Sequence, residues 1–342
     1  MNRFSVKRLV KLVLRKALYD LGLLGLLHHF RNSRTLTTFM FHRVLPRDSD
    51  AYRHAEKEFT FSVEGFSACL DFIQRHYQII SLRDVEEAKQ TGRFLPDRAA
   101  LITFDDGWLD TIKYAYPELK RRGLSGVVFI ASEVLGSSSE QWWQDALVRV
   151  FAEPQSALDL ARELGLDLRL SEQAGSQRNH AMAATLAQRP LANRLDILFR
   201  YSQDLGLGQQ MMRRTDLIDL DRAVLALAAH GHTHAPLTAI SDPKADLQRA
   251  HDMILEQGGT ASLSFPHGTY NKALVDIAED IGFSTLFSSD PWLTDTRRAQ
   301  LLPRVLGRIH LPENEWTCNG GHISFPQLAT FLFFRPIVGN DC

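Results

Sequence analysis

From residue 35 onward, short unbroken apolar runs alternate with segments of helical spacing, and this rhythm restricts the allowed folds more than any other feature. Leu36–Phe41, Ala99–Phe104 (AALITF) and Gly126–Ile130 (GVVFI) are apolar at nearly every position, as strands covered on both faces must be. Between them, Ser62 can cap a helix that runs to about His76, with Phe66, Cys69, Leu70 and Ile73 on one face. Gln78-Ile79-Ile80 reads as a short strand, and Ser81 starts a helix that Gly92 can end. A further helix, Thr111–Arg122, stops at Gly123. Strand, helix, strand, helix in this order implies a parallel sheet with helical crossovers. An open doubly wound sheet and a closed barrel both satisfy it.

Residues 137–222 break the rhythm. The 123 residues between Asp106 and His230 exceed the roughly 60 that two βα units need, and their Ala/Leu/Arg/Gln-rich segments have helical spacing. This stretch reads as a helical insertion, either a lid or a docking surface, that begins with Ser137-Ser138-Ser139 and passes through Trp142-Trp143. Read as exposed, the two tryptophans would stack on sugar rings or pack the lid onto the body. The expected organisation is an arm, residues 1–34, followed by one domain, residues 35–342, carrying that insertion.

The arm differs from the rest in charge. It holds eight of the chain's 39 Lys and Arg and one of its 40 Asp and Glu, which leaves 31 against 39 in the body. The overall charge of −1 is therefore the sum of a +7 arm and a −8 body, and the body excludes a wholesale nucleic-acid binder. On a helical wheel Val6, Leu9, Val10, Leu12, Val13 and Ala17 fall largely on one face of the arm. Lys7, Arg8, Lys11 and Arg15 fall on the other. Two readings fit this N-terminal amphipathic helix: peripheral contact with an anionic membrane surface, or packing on the body with a solvated basic face. Charges interrupt the apolar stretch, and His28-His29-Phe30 follows it, unlike a secretory leader. Three scattered cysteines, Cys69, Cys318 and Cys342, form no disulfide framework or Cys-x-x-Cys pair. The expected place is the cytoplasm, peripheral at the inner membrane.

Three clusters carry chemistry. Thr103-Phe104-Asp105-Asp106-Gly107 puts adjacent carboxylates at the C-terminal end of an apolar strand, where α/β folds build active sites. One can bind a metal while its neighbour acts as a base, although Asp and Gly also suit a turn. His230-Gly231-His232-Thr233-His234 sets three imidazoles within five residues. His230 and His234 meet on one face if a helical turn begins here; His230 and His232 would pair on a strand end. Leu263-Ser264-Phe265-Pro266-His267-Gly268-Thr269-Tyr270 ends a strand in a constrained loop able to present backbone N–H groups.

In this order the three clusters resemble the motifs of the polysaccharide deacetylase family, the NodB-homology domain of carbohydrate esterases. Phe39-Met40-Phe41-His42-Arg43-Val44 is similar to the family's first strand and the histidine after it. The likeness covers about residues 36–135 and 223–305. It implies a distorted (β/α) barrel with fewer than eight strands and a divalent metal at its mouth, zinc by family default, with cobalt or nickel as alternatives. Asp106, His230 and His234 would be the ligands and Asp105 the general base. His267, Tyr270, His42 and Arg304 would face the substrate or its oxyanion. The substrate would be an acetylated glycan or lipid-linked saccharide losing an N-acetyl group, or less typically an O-acetyl group. A non-sugar C–N bond and a non-catalytic glycan-binding module are the alternatives.

The sequence also departs from the family. Ser264 stands where an arginine usually orients the base. Asp290 and Trp292 match a fourth motif loosely, and Arg308-Ile309-His310-Leu311 offers His310 as the acid of a fifth. His232 is an alternative acid.

Overall fold

The structure is a computed structural model that describes residues 3–136, 142–166, 175–201, 209–297, 302–317 and 322–339. Six strands pair in parallel and in chain order: Thr35–Phe41, Ala99–Phe104, Gly126–Ile130, Leu225–Ala229, Ser262–Ser264 and Thr285–Phe287. Val305–Leu306 then lies parallel to Thr285–Phe287. A few residues on, Ile309–His310 lies parallel to Thr35–Phe41, at Phe39 and Met40. One short segment thus joins both free edges, and the sheet closes. The pairing decides for a barrel with fewer than eight strands over an open sheet.

Strand residues alternate between two apolar clusters, as a period of two requires. Leu36, Ala99, Leu101, Val127, Phe129, Phe287 and Leu306 pack with Leu82, Val85 and Ala88 of the helix Leu82–Thr91. Phe39, Phe41, Ile102, Phe104, Val128 and Ile130 pack on the other face with surrounding helices. Asp105 continues the first series, Ala99, Leu101, Thr103, and so emerges on that face at the strand's C-terminal end.

The helix expected over Thr111–Arg122 starts instead as a wider π turn, Thr111–Ala115, and becomes α-helical over Tyr116–Arg122. Pro117 has no N–H to donate, which accounts for the altered hydrogen bonding around it. Ser62, Ser81 and Gly92 cap their helices as read. In the stretch 137–222, Trp143–Ala152, Pro154–Glu163, Gly175–Ala187 and Leu191–Phe199 are helices. Ser137-Ser138-Ser139 lies outside the described residues. Arg194 pins these helices to the body through a two-armed pair with Glu133, at 2.5 and 3.0 Å.

At the N-terminus, helices Arg3–Asp20 and Leu23–Arg31 meet at Gly22, whose φ of 75° lets the chain turn between them. The second helix buries Leu24 and His28 against the body, where His28 stacks on Phe333 at 4.0 Å. Among the described residues, no helix is long and apolar enough to cross a membrane.

Candidate metal and catalytic site

The Asp105-Asp106-Gly107 turn works because its backbone is held in an unusual shape. Asp106 has φ 76° and Gly107 φ 90°; a side chain at 107 would meet Ile130 Cγ2 at 2.8 Å. The turn is fastened from three sides, by Asp105 N to Phe41 O, Ala131 N to Asp106 O and Met212 N to Gly107 O. Two other left-handed non-glycine residues, His234 (φ 55°) and His267 (φ 57°), border the same cavity. Strain of this kind persists only where the surroundings enforce it.

His230 and His234 do not share a helical turn. Residues 230–234 form a bend, with Gly231 at φ 68° and His234 also left-handed. Asp246 holds this bend by accepting from His232 N, Thr233 N and Thr233 Oγ1 at 2.7, 3.0 and 2.6 Å. His232 turns away and meets Ser132 Oγ at 2.9 Å, so it is the outer two histidines that face Asp106.

Asp106, His230 and His234 are buried, and one donor atom from each lies within 4.8 Å of the others. Each donor is oriented from behind. His230 Nδ1–H donates to the Ser264 carbonyl at 2.8 Å, which turns Nε2 toward the carboxylates, 3.5 Å from Asp106 Oδ1. Gln144 holds His234 twice: its Nε2 donates to His234 O at 2.6 Å, so its Oε1 is left to accept from Nδ1–H, also at 2.6 Å. Trp108 Nε1 donates to Asp106 Oδ2 at 2.9 Å.

These contacts test whether the residues suit a cation. With Nδ1–H committed to Gln144, His234 presents a lone pair at Nε2, yet Nε2 sits 3.1 Å from Asp106 Oδ1. Two lone pairs at that distance require positive charge between them, either a proton or a metal ion. Burial lowers the His230 pKa to about 4, so its imidazole is neutral and ready to ligate. Burial alone would raise the Asp106 pKa, but the bond from His234 and the neighbouring imidazoles outweigh it and hold the group ionised. Two imidazole nitrogens and one carboxylate fit a divalent ion with coordination positions to spare.

Asp105 stands beside them, with Oδ2 3.7 Å from His230 Nε2. Arg308, fully buried, donates from Nη1 and Nη2 to its two oxygens at 2.6 and 2.7 Å. Burial pushes the Asp105 pKa up, but the Arg308 charge outweighs it, and the net direction is down. The arginine that Ser264 lacks therefore arrives from another strand end.

A cavity of about 470 Å³ opens over these groups. Asp105, Asp106, His230, His234, His42, His267 and His310 all line it. His310 Nε2 meets the Glu58 carbonyl at 3.0 Å, which leaves Nδ1 as a lone pair, and burial lowers its pKa to about 4. His42 and His310 pack edge to face at 5.6 Å, and each has a buried Nδ1 with no hydrogen-bond partner. His267 Nε2 reaches His234 O at 3.1 Å.

Two residues expected at the substrate lie elsewhere. Arg304 is on the outer surface, paired with Asp276 and Glu279 at 2.6 and 2.7 Å, because the segment leaves the barrel wall there. Tyr270 is not among the cavity-lining residues; its hydroxyl donates to Asp290 Oδ2 at 3.0 Å and its ring stacks on Phe265. Asp290 is thereby engaged by Tyr270 and Ser288, away from His310. Trp142 and Trp143 are buried, not exposed: Trp142 walls the cavity against Trp108 and His234, and Trp143 lies beneath Arg194.

Sequence reasoning missed Arg308, Gln144 and Trp108 as positioning residues. Arg308 had a signal, since it lies two positions before His310 and so shares its strand face. Gln144, 90 residues before His234, had none.

The chain matches no family model and no curated protein. Solved structures do resemble it. A de-N-acetylase from Aggregatibacter actinomycetemcomitans superposes with a TM-score of 0.55 at 15% identity, over 87% of this chain and 100% of that one. The Streptococcus pyogenes deacetylase PplD, in complex with acetate, gives 0.52 at 13% identity over 82% and 93%. A polysaccharide deacetylase from Bacillus cereus gives 0.52 at 10% identity over 87% and 69%. The fold is that of the polysaccharide deacetylases.

Proposed function

We propose that the protein is a metal-dependent hydrolase that removes N-acetyl groups from a glycan or lipid-linked saccharide in cell-envelope or exopolysaccharide metabolism. One observation carries this reading: a carboxylate locked by Arg308 stands beside a separate Asp-His-His donor set, at the base of one cavity. A glycan-binding module has no use for a base next to three ligands. The fold supports the same reading, as do its structural neighbours, a deacetylase and a de-N-acetylase.

Asp106 Oδ1, His230 Nε2 and His234 Nε2 would hold the ion, with zinc as the proposed occupant. A divalent ion there supplies Lewis acidity, which acidifies water and polarises an acyl carbonyl. The protein's own groups do the rest. Asp105 Oδ2, on the side of the donor set, accepts the proton of the attacking water. Because Arg308 keeps this carboxylate weakly basic, Asp105 gives that proton up readily. His310 is neutral at rest, so it protonates the leaving amine only after first taking a proton at Nδ1. His42 and His267 are the cavity groups proposed to meet the saccharide. The proposed location is the inner face of a membrane, with the N-terminal arm as the peripheral contact.

The test is acetate release from N-acetylglucosamine oligomers. We expect turnover that a chelator abolishes and Zn²⁺ restores, and an Asp105→Asn variant that keeps its metal but loses about 10²–10⁴-fold in rate. A metal-loaded protein inactive on every acylated saccharide tried would end this reading.

A further inference from the structure

The helix Leu23–Arg31 uses one apolar stripe to fold and carries a second that it does not need. Leu24 and His28 face the body and are buried, whereas Leu23, Leu26, Leu27 and Phe30 are 48, 55, 40 and 70% exposed. Their spacing of i, i+3, i+4, i+7 places all four on one side. The preceding helix repeats the pattern: Val10, Val13, Leu14 and Ala17 are exposed at the same spacing, and the stripe runs on to exposed Leu21. Phe334, half-exposed, lies just past the end of the helix Phe325–Phe333, against which Leu23–Arg31 packs. Contiguous apolar surface of this kind marks an interaction site.

The flanking charge says what covers it. Lys11, Arg15 and Arg31 are exposed beside the stripes, as are Lys16 and Arg34, which pair with Asp20 and Asp97. Arg31 donates to the Phe333 and Arg335 carbonyls, each at 2.9 Å, so it is anchored without being neutralised. The arm carries +7 and the rest of the chain −8. A symmetric pairing of two copies would press one basic surface against another. A negatively charged lipid surface meets both features together.

We propose that residues 10–34 dock on an anionic bilayer, with the Leu, Val and Phe stripes at the acyl boundary and the Lys and Arg groups among the phosphates. This gives the membrane contact its lipid class and its residues, and it holds whatever reaction the cavity performs. It also sets an orientation. Leu23–Arg31 ends at the start of the strand Thr35–Phe41, whereas His42, Asp105 and His230 follow the opposite ends of their strands. A strand of that length separates the two ends by about 20 Å. The docked barrel therefore presents its cavity away from the lipid, toward saccharide that extends from the surface.

Flotation of the full chain with vesicles tests this. Protein should rise with phosphatidylcholine vesicles containing phosphatidylglycerol, and about tenfold less with phosphatidylcholine alone. Leu26→Glu with Phe30→Glu, and separately Lys11→Glu with Arg15→Glu, should each cut recovery about tenfold, with an unchanged circular dichroism spectrum and melting temperature. Equal recovery on both vesicle types, no recovery on either, or unaltered binding by Leu26→Glu/Phe30→Glu would overturn the proposal. So would a concentration-dependent dimer in sedimentation equilibrium that Leu26→Glu/Phe30→Glu dissolves, which would assign the stripes to a second copy. None of these measurements reads turnover, so their failure and that of the deacetylase reading are separate events.

Discussion

The two histidines of the donor set are held by different parts of the molecule. His230 leaves a barrel strand, its N–H bonds Ile130 O, and its ring is fixed by the backbone carbonyl of Ser264 on the next strand. Nothing in that arrangement depends on a side chain other than its own. His234 sits past the bend, and its ring is fixed by the side chain of Gln144, from the first helix of the insertion, with Trp142 packed against it at 5.0 Å. One half of the site is thus a property of the barrel, while the other half exists only when the insertion is docked. The lesson is that the helix Trp143–Ala152 helps to build the candidate donor set, through Gln144, and is not a cover laid over a finished one.

Arg308, on the barrel side, should give the largest effect. Arg308→Met leaves Asp105 buried with no counter-charge, and the loss in kcat/KM should reach about 10²–10⁴-fold. The sign with pH follows from what Arg308 does. It holds the Asp105 pKa down, so the proposed base stays ionised in acid; without it, burial raises that pKa. The acid limb of kcat/KM should therefore move to higher pH, and Arg308→Lys should move it part of the way back. A limb that stays in place would mean that Arg308 only supports the fold.

Gln144, on the insertion side, comes next. Gln144→Leu removes both bonds to His234, and affinity for Zn²⁺ should fall about 10–100-fold, the usual cost of losing the group behind a ligand histidine. Gln144→Glu keeps an acceptor for Nδ1–H but turns a carboxylate oxygen toward His234 O, so it should recover only part of that affinity. Chelator competition measures both, and the visible spectrum of the Co²⁺-loaded protein reports whether the ligand geometry has changed. Affinity unchanged in Gln144→Leu would return the insertion to the status of a lid.

The same division explains what was legible in the sequence. Strands such as Ala99–Phe104 and Gly126–Ile130 announce themselves because burial on both faces leaves no polar position to obscure them. Caps at Ser62, Ser81 and Gly92 are local chemistry, readable within a few residues. Asp106, His230 and His234 were visible as a donor set because each sits in a dense motif. Barrel closure was legible only through the family resemblance, since it rests on residues 305–310 pairing with nearby Thr285–Phe287 and with Thr35–Phe41 at the far end of the domain. Gln144 was hidden and Arg308 marked only by its spacing to His310, because each acts on a partner far away in sequence, 90 and 203 residues respectively. Arg304 looked equally suitable by type, but its carboxylate partners lie on the outer helix Lys272–Ile281.

Ser264 provides the smallest and sharpest contrast with Gln144. Both residues fix the ring of a histidine of the candidate donor set, but Ser264 does so with its main-chain oxygen, which substitution does not remove. Its own Oγ is buried with no partner, so Ser264→Ala deletes an unsatisfied hydroxyl and leaves the bond to His230 intact. Zn²⁺ affinity should stay within about twofold, and the melting temperature should hold or rise slightly, because an unpaired buried hydroxyl is a cost to the folded state. If affinity instead fell by as much as in Gln144→Leu, the His230 side would also depend on a side chain. The barrel could then no longer be treated as the rigid half of the site.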